Sequence, residues 1–365
     1  MCERINDIMT PNYIYLPYKN GSLNIKNGEY IYKEDEIINN ENKIFSPVSG
    51  NILGLTTINK KQYIVIENDY KEKTRVRKGS KKYINKYTKE ELLNLINEYK
   101  VLDNFDINSK VLVISGLDEY IEEVTYNTLI KEYTLEILDT IDALIDIMNI
   151  KKCFLAVNSN DNELVNILFN NMGTYPKIDL KLFNNNHYIS NKSFLINKLT
   201  NYKNKKYNLE YLTIKDVVYM YNLLKKNRYT CETYITLTGD LLNYKKVLKV
   251  KMGSNIKDIL DEFEIKNKDN VIINGLLNGI HLKNTNYIID RNIRSIFINN
   301  IEKYKICNCI NCGLCNEICP VGVNPKYMYF KKDKKAKDYK NKCINCGLCS
   351  YLCPSKINLN KGVKE

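Results

Sequence analysis

Near its C-terminus the chain contains the same cysteine pattern twice. Each copy reads Cys-x2-Cys-x2-Cys-x3-Cys-Pro, and the copies begin at Cys309 and Cys343. Three thiols at i, i+3 and i+6 can wrap one face of an inorganic core only if the backbone turns tightly between them. Gly313 and Gly347 lie inside the two loops, where such a turn is needed. The pattern therefore predicts a small C-terminal domain that folds around metal.

The spacing is the one that two-cluster bacterial ferredoxins use for [4Fe–4S] clusters. In that arrangement each cluster takes three cysteines from one copy and the fourth cysteine from the other copy. Cys307 precedes the first copy and is expected to be a bystander, with replacement of Cys309 as a ligand as the alternative. The expected ligand sets are Cys309, Cys312 and Cys315 with Cys353, and Cys343, Cys346 and Cys349 with Cys319.

Structural zinc is the main alternative, because zinc sites also use paired Cys-x2-Cys. Zinc requires neither a third cysteine at the same spacing nor a Cys-Pro three residues later, and here both features occur twice. Disulfides are disfavoured because such dense thiols without an export signal are typical of metal ligands in a reducing compartment.

Composition and charge restrict the partners. The 365 residues favour two or three domains, and the net charge of +13 suits an acidic partner or an anionic surface. Residues 71–86 carry eight Lys or Arg and one acid, and residues 326–342 carry eight Lys and two Asp. The second run lies between the cysteine motifs, so it is either a solvated loop or a docking surface for an acidic electron carrier. Nucleic acid is not an expected partner, since no recognition module with interleaved aromatic residues accompanies the basic runs.

No apolar run of 18 residues predicts a membrane-spanning helix, and the N-terminus has no apolar segment of an export signal. We therefore expect a cytoplasmic protein, with peripheral attachment to the cytoplasmic side of the membrane through partner subunits as an option.

Residues 10–72 predict an all-β domain of short strands. Asn20-Gly21 and Asn27-Gly28 are hairpin signals. The segment Pro47-Val-Ser-Gly50, followed by an apolar strand, resembles the turn of a barrel-sandwich hybrid, the fold of biotinyl and lipoyl domains. The chain has no carrier lysine in the expected hairpin, so the predicted role of this domain is structural.

Residues 88–232 predict an α/β domain with a parallel sheet, because strands and helices alternate. A capping box at Thr88 opens the first helix. The helix Thr134–Met148 presents Leu135, Leu138, Ile141, Ile145 and Met148 on one face. Residues 183–232 are the least informative, apart from a helix at 214–225. The predicted strands are 110–116, 152–157 and 178–182, and a further helix is predicted at 163–171.

Residues 233–290 predict a β-grasp module. Alternating strands at 233–240 and 247–253 precede a helix at 255–263 that Ser254 is expected to cap, and a third strand begins at Val271. Residues 300–360 form the predicted ferredoxin-like domain with two [4Fe–4S] clusters. The predicted fold class is therefore a multidomain α/β protein of four parts.

This order of domains resembles the RnfC family, the C subunits of Rnf-type electron-transport complexes. Thr236–Asp240 and Lys249–Gly253 are similar to the entry of the family's soluble-ligand-binding β-grasp (SLBB) module. Asn274–Gly279 stands where the family has a Gly-Gly-Pro-Met-Met-Gly turn, and Pro47–Gly50 and Ile64–Asp69 match its N-terminal barrel. The resemblance implies NADH oxidation at FMN, followed by electron passage through the clusters to partner subunits.

The flavin site is where the sequence departs from the family. The glycine-rich phosphate loop of the family falls near Tyr99–Asn108, which contains no glycine, although phosphate cradles need convergent backbone N–H groups. In the acidic signature after the next strand, only Gly116 and Asp118 match, which makes them vestigial FMN-site residues. We therefore predict that FMN and NADH binding are lost.

The sequence shows no nucleophile, acid–base pair or substrate pocket, so catalysis by this chain alone is not predicted. The leading hypothesis is an iron–sulfur electron-transfer subunit of a larger oxidoreductase, passing single electrons between redox proteins such as other Rnf-type subunits, ferredoxin, flavodoxin or a reductase. The alternatives are an FMN-containing NADH-oxidising subunit of an ion-translocating Rnf complex, a soluble adaptor to an amino-acid reductase of the proline-reductase kind, and a scaffold with structural clusters.

Overall fold

The computed structural model of the chain describes residues 4–18, 26–38, 43–75, 82–102, 104–184, 188–200, 208–226, 229–266, 268, 270–300, 305–331 and 333–360. The fold is mixed α/β. The predicted turn at Asn20-Gly21 lies outside the described residues. No helix in the described part of the chain is both long enough and apolar enough to cross a membrane.

The N-terminal region contains an antiparallel four-stranded sheet with strand order β2-β7-β6-β3 and a separate β4-β5 pair. Its core includes Ile14, Ile52, Ile64 and Ile66. The predicted turn at Asn27-Gly28 is present, with Gly28 at φ +83° and its N–H donating to the Ile52 carbonyl at 2.7 Å. The strands are β1 Ile5–Asp7, β2 Tyr13–Tyr18, β3 Tyr30–Ile31, β4 Glu36–Ile38, β5 Ile44–Phe45, β6 Gly50–Ile58 and β7 Lys61–Asn68.

The central region is a parallel sheet with strand order β10-β9-β8-β11, packed by helices. Thr88 and Glu91 form the predicted capping box of the first helix. The predicted strands are present within one or two residues at each end, but β11 was not predicted. The elements in order are α1 Lys89–Tyr99, β8 Val111–Gly116, α2 Thr125–Glu132, α3 Thr134–Met148, β9 Lys152–Asn158, α4 Asn162–Met172, β10 Ile178–Phe183, α5 Lys192–Thr200, β11 Leu209–Thr213 and α6 Ile214–Lys226.

Helix α3 has the predicted bounds, but the prediction that Leu135 lies on its buried face was wrong. Leu135 is 55% exposed. The buried face is centred on Ile141, with Ile137, Leu144 and Met148 beside it. At 3.6 residues per turn, Leu135 points about 120° away from Ile141.

The third region is a mixed sheet with strand order β1-β13-β12-β16-β14-β15. Strands β12 and β13 form an antiparallel hairpin, and β12 pairs with β16 in parallel. The predicted cap Ser254 is not the N-cap of α7, because its hydroxyl donates to the Lys251 carbonyl at 2.8 Å. Asn255 caps this helix, accepting from the Lys257 N–H at 3.1 Å. The elements are β12 Glu232–Thr238, β13 Lys246–Lys251, α7 Ile256–Glu262, β14 Val271–Ile273, β15 Ile280–His281 and β16 Ser295–Ile298.

The C-terminal region contains four short helices and irregular backbone, and none of its described residues belongs to a strand. The helices are α8 Leu314–Glu317, α9 Pro325–Phe330, α10 Lys334–Lys342 and α11 Leu348–Tyr351. All nine cysteines from residue 307 onward lie here, and none forms a disulfide.

Candidate iron-sulfur site

The two cysteine motifs form loops with the same backbone conformation. We call residues 309–315 the outer loop and residues 343–349 the inner loop. In each loop an asparagine and then a glycine adopt left-handed conformations, with φ +58° at Asn311 and +82° at Gly313, and +53° at Asn345 and +87° at Gly347. Asparagine and glycine tolerate this region better than other residues, so the sequence Asn-Cys-Gly specifies the turn in both loops.

The segments that follow the loops also match. Each glycine is the N-cap of a one-turn helix, α8 or α11, and these two helices pack against each other. The N–H of Cys319 donates to the Asn316 carbonyl at 3.3 Å, and the N–H of Cys353 donates to the Ser350 carbonyl at 3.3 Å. The fourth cysteine of each motif therefore follows its one-turn helix with the same hydrogen bond.

The thiols of the inner loop lie near the fourth cysteine of the first motif. Burial raises the pKa of Cys343 and Cys346, and the negative charge of Cys319 raises both further. Cys319 therefore lies close enough to the inner loop to interact electrostatically with two of its thiols.

The thiols of the outer loop have different neighbours. Burial raises the pKa of Cys315, and among the cysteines the charges of Cys312 and Cys309 raise it further. Cys353, from the second motif, packs with Cys309, Cys315 and Tyr329 against a buried centre of Cys349, Ile357 and Leu359. The group therefore contains three of the four cysteines expected at the outer cluster, together with Cys349 from the inner set.

The donor chemistry of the region fits iron–sulfur clusters. Burial raises the pKa of Cys349 to about 12, so its thiolate form needs a compensating cation such as iron. Backbone N–H groups also point at the sulfurs, since the Asn345 N–H donates to Cys343 Sγ at 3.4 Å. Hydrogen bonds to sulfur are one of the means by which proteins tune cluster potentials. No three His, Cys, Asp or Glu side chains among the described residues converge on a site for a single metal ion.

The two loops differ in what surrounds them. In the outer loop Cys312 is exposed and Ile310 is 66% exposed. A Cβ atom added at Gly313 would meet only the Glu317 carboxylate, at 4.0 Å. The outer loop therefore faces solvent.

The inner loop packs against the body of the protein, on the turn that links β14 to β15. A Cβ atom added at Gly347 would lie 2.8 Å from both Cβ and O of Leu277. The Asn278 amide donates to the Asn345 carbonyl, and the Asn191 amide donates to the Ile344 carbonyl at 3.3 Å. The inner loop is thus held by side chains of both the mixed sheet and the parallel-sheet region.

A cavity of about 360 Å³ lies against this inner loop. Cys346 lines it, together with Tyr120, Asn191 and Leu277. Tyr120 lines this cavity and also a second cavity of about 410 Å³, which residues of β11 line as well. Lys215 lines the second cavity, and burial lowers its pKa to about 8. Two arginines, Arg291 and Arg294, also line the second cavity.

The two predicted flavin-site residues have internal partners. Gly116 ends β8, and a Cβ atom added there would lie 2.7 Å from Ile130 Cδ1. Asp118 is buried, and its Oδ1 accepts from the Tyr126 N–H at 2.7 Å, near the start of α2. Glu123 lies nearby, where burial and then the Asp118 charge raise its pKa to about 8. The assignment of Gly116 and Asp118 to a vestigial flavin site stays a prediction.

The segment expected to hold the flavin phosphate does not fit an anion. The Asp106 N–H donates to Glu210 Oε2 at 2.8 Å, and the Asn108 N–H donates to Asp106 Oδ1 at 3.0 Å. These backbone donors are therefore used by carboxylates of the chain itself. Two negative charges also lie where a phosphate would need positive potential.

Sequence reasoning missed the residues that attach the inner loop. Asn278 and Asn191 carried no signal of their own, because asparagine is common throughout this chain. Glu210 was missed together with β11, which lies in the stretch that periodicity left undefined. Tyr120 was also missed, although it lies two residues after the matched residue Asp118. It packs against Gly275, which is far away in sequence.

Comparison with known proteins finds similar sequences for the cysteine-rich region and for most of the chain. Residues 308–357 match the family model described as a 4Fe-4S dicluster domain. The C subunit of the ion-translocating oxidoreductase complex from Buchnera aphidicola subsp. Baizongia pistaciae is 24% identical over 349 residues, covering 85% of this chain and 68% of that protein. The protein of the same name from Buchnera aphidicola subsp. Acyrthosiphon pisum is 24% identical, covering 87% of this chain and 74% of that protein.

Over most of its length the chain is similar in sequence to these C subunits. A third C subunit, from Actinobacillus succinogenes, is 22% identical and covers 60% of this chain and 33% of that protein. With the dicluster domain, the relationship confirms the predicted resemblance, the two [4Fe–4S] clusters and the function of iron–sulfur electron transfer.

Among solved structures, a chain of the NAD+-reducing [NiFe]-hydrogenase in the H2-reduced state matches with a TM-score of 0.45 and 9% identity. The match covers 59% of this chain and about half, 48%, of the hydrogenase chain.

Proposed function

We propose that the chain is the electron-relay subunit of a multi-subunit, Rnf-type oxidoreductase. In this proposal Cys309, Cys312, Cys315 and Cys353 hold the outer cluster, and Cys343, Cys346, Cys349 and Cys319 hold the inner cluster. The observation that carries this assignment is the position of Cys319, whose charge acts on Cys343 and Cys346 of the other motif. Cys353 likewise packs in one group with Cys309 and Cys315 of the other motif, a group that also contains Cys349.

Residues of this chain would hold the two clusters and set their surroundings. Each cluster, when bound, takes up and releases one electron. The left-handed Asn-Cys-Gly turns bend the backbone between the ligating cysteines, and the Asn345 N–H donates to Cys343 Sγ and offsets its charge. Contacts of Gly347 with Leu277 and Asn278 cover one side of the inner loop. The outer loop lacks this cover, so the outer cluster would be more exposed to solvent than the inner cluster.

We infer that the regions before the clusters are scaffold. The antiparallel β2-β7-β6-β3 sheet supports a barrel-sandwich hybrid at 10–72, and the parallel sheet supports the α/β domain at 88–232. The β12–β13 hairpin, helix α7 and the parallel β12–β16 pair support an SLBB-like β-grasp at 233–290. The dicluster domain then occupies 300–360.

We further propose that FMN and NADH do not bind, so that the electron donor is another protein. The use of the Asp106 and Asn108 N–H groups by carboxylates supports this. The C-subunit relatives favour donors and acceptors within a complex at the cytoplasmic side of the membrane, to which this chain attaches through partner subunits.

Anaerobic purification tests the proposal. We expect about eight irons per chain, the content of two cubanes, and an EPR signal after reduction with dithionite. Cys312→Ser and Cys346→Ser should each disturb one cluster, whereas the control Cys307→Ser should leave the iron content unchanged. Unaltered iron content and EPR spectra in the first two variants would show that the cysteines are not ligands. Bound flavin in the purified protein would instead support the NADH-oxidising alternative.

A further inference from the structure

The solvent-facing side of the dicluster domain exposes apolar side chains around the outer loop. Ile306, Ile310, Leu314 and Phe330 are all exposed. Helix α9 is connected to the outer loop, because Lys326 at the start of α9 donates to the Asn311 side chain inside that loop. Helix α9 also contacts α8, which contains Leu314. We call these four apolar residues the outer face.

A strongly basic segment borders the outer face. Helix α10 packs against α9, and only Ala336 of its nine residues is buried. Residues 326–342 contain eight lysines and two aspartates. One aspartate, Asp333, is engaged within the segment, accepting from the Ala336 N–H at 2.9 Å and from the Tyr327 hydroxyl. Described lysines of this segment that are exposed are Lys331, Lys334, Lys335, Lys337 and Lys342, and we call them the basic rim.

We propose that the outer face and basic rim form the docking surface for a small acidic electron-carrier protein, which exchanges one electron with the outer cluster. The proposal rests on the function proposed above and names the partner's chemistry. An apolar centre with a charged rim is the usual anatomy of a protein interface, and an acidic surface on the partner complements the lysines. The inner loop is less accessible than the outer loop, because Leu277 and Asn278 cover Gly347.

Some lysines of the segment have a local structural role. Lys335 lies over the Tyr327 and Tyr339 rings, and Lys340 and Lys342 are in the last turn of α10, where cations favour the helix. Like charges along α10 repel one another, and an acidic partner would relieve that repulsion. Electrostatic steering raises association rates by about 10- to 1000-fold and falls steeply with ionic strength. Salt dependence of electron exchange is therefore the diagnostic measurement.

The experiment uses the purified holoprotein and stopped-flow reduction of its clusters. The acidic probe is a reduced ferredoxin of low isoelectric point, and the neutral probe is photoreduced lumiflavin. The rim variant is Lys331→Glu/Lys334→Glu/Lys337→Glu, and its changes at 334 and 337 place acids near the N-terminus of α10, where they favour the helix. The matched control is Lys60→Glu/Lys61→Glu, which changes exposed lysines at the β6–β7 turn.

For the wild type and the control we expect the rate with ferredoxin to fall about tenfold from low to high salt. The rim variant should lose about tenfold in rate at low salt and most of its salt dependence. Ile310→Ala should slow exchange without changing the salt dependence, and lumiflavin should reduce all proteins equally.

Two results would overturn the inference. One is a ferredoxin rate that depends on salt equally in the wild type and the rim variant. The other is rim-dependent binding to vesicles of anionic phospholipid with no effect on the ferredoxin rate, which would make the surface a membrane contact. Failure of the proposed function is distinguishable, because the protein would then lack iron or would not be reduced by lumiflavin at all.

Discussion

Two glycines at the same place in the repeat provide a test of the different surroundings of the loops. Gly313 and Gly347 have nearly the same φ, +82° and +87°. Alanine at either position therefore carries the same cost for the left-handed conformation, about 1–2 kcal/mol. Any difference between Gly313→Ala and Gly347→Ala reports what surrounds the added methyl group.

The surroundings predict a large difference. At Gly313 the nearest atom to an added Cβ is a flexible carboxylate oxygen at 4.0 Å, so no further cost arises. At Gly347 the Cβ would lie 2.8 Å from the Leu277 carbonyl oxygen and 2.9 Å from Asn278 Oδ1. A backbone oxygen cannot move without shifting the turn, and overpacking of this kind costs about 1–3 kcal/mol. We expect Gly347→Ala to be less stable than Gly313→Ala by that amount.

Anaerobic urea titration, followed through the visible absorbance of the clusters, measures the difference. With a urea dependence of roughly 1–3 kcal/mol/M, the midpoint for Gly347→Ala should lie about 1 M below that of Gly313→Ala. Equal midpoints would refute the packing of the inner loop against the β14–β15 turn. A lower midpoint for Gly313→Ala would mean that the assignment of outer and inner loops is reversed.

Three further predictions concern Asn278, Glu123 and Lys215. Asn278→Ala removes the amide that holds the Asn345 carbonyl, at a cost of about 1 kcal/mol, so iron should be released faster to a chelator than from the control Asn284→Ala. Because the pKa of Glu123 is raised to about 8, the folded carboxyl retains its proton between pH 4.5 and 8, and stability should fall as pH rises through this range. The melting temperature measured against pH reports this fall in stability, and Glu123→Gln should flatten it. An unchanged pH profile in the variant would contradict the assignment to Glu123. The pKa of Lys215 is lowered to about 8, so stability should instead rise from about pH 8 to 10, and Lys215→Met should abolish that rise in the same assay.

Local patterns predicted the regular elements of the chain well. The buried strand β8 and the helix α3 were found because apolar runs and 3.6-residue periodicity depend only on neighbours in sequence. Strand β11 was missed because Leu209–Thr213 alternates a charged glutamate with aromatic and aliphatic residues, and its partner β8 lies about 100 residues away. The cap of α7 was misplaced by one residue, since Ser254 and Asn255 are both good caps and only the hydrogen bond to Lys251 separates them.

The candidate site was also predicted only where it depends on local sequence. The cysteine spacing predicted two equivalent loops, because the ligand pattern and the Asn-Cys-Gly turn are local properties of the sequence. It did not predict that the loops would differ in exposure. Ile310 and Ile344 occupy the same place in identical Cys-Ile-Asn-Cys-Gly-Leu-Cys strings, yet Ile310 is exposed whereas Ile344 lies beside the Asn191 amide.

The asymmetry therefore comes from outside the repeat. Nothing in either heptapeptide can distinguish an inner from an outer cluster, so the distinction is imposed by the β14–β15 turn, through Leu277 and Asn278, and by the lysines of α10. A relay with two identical ends would have no preferred partner at either end. The Gly347 backbone is covered by Leu277 and Asn278, whereas Cys312 and Ile310 of the outer loop are exposed. On the docking surface proposed above, the exposed outer end would select its partner by charge.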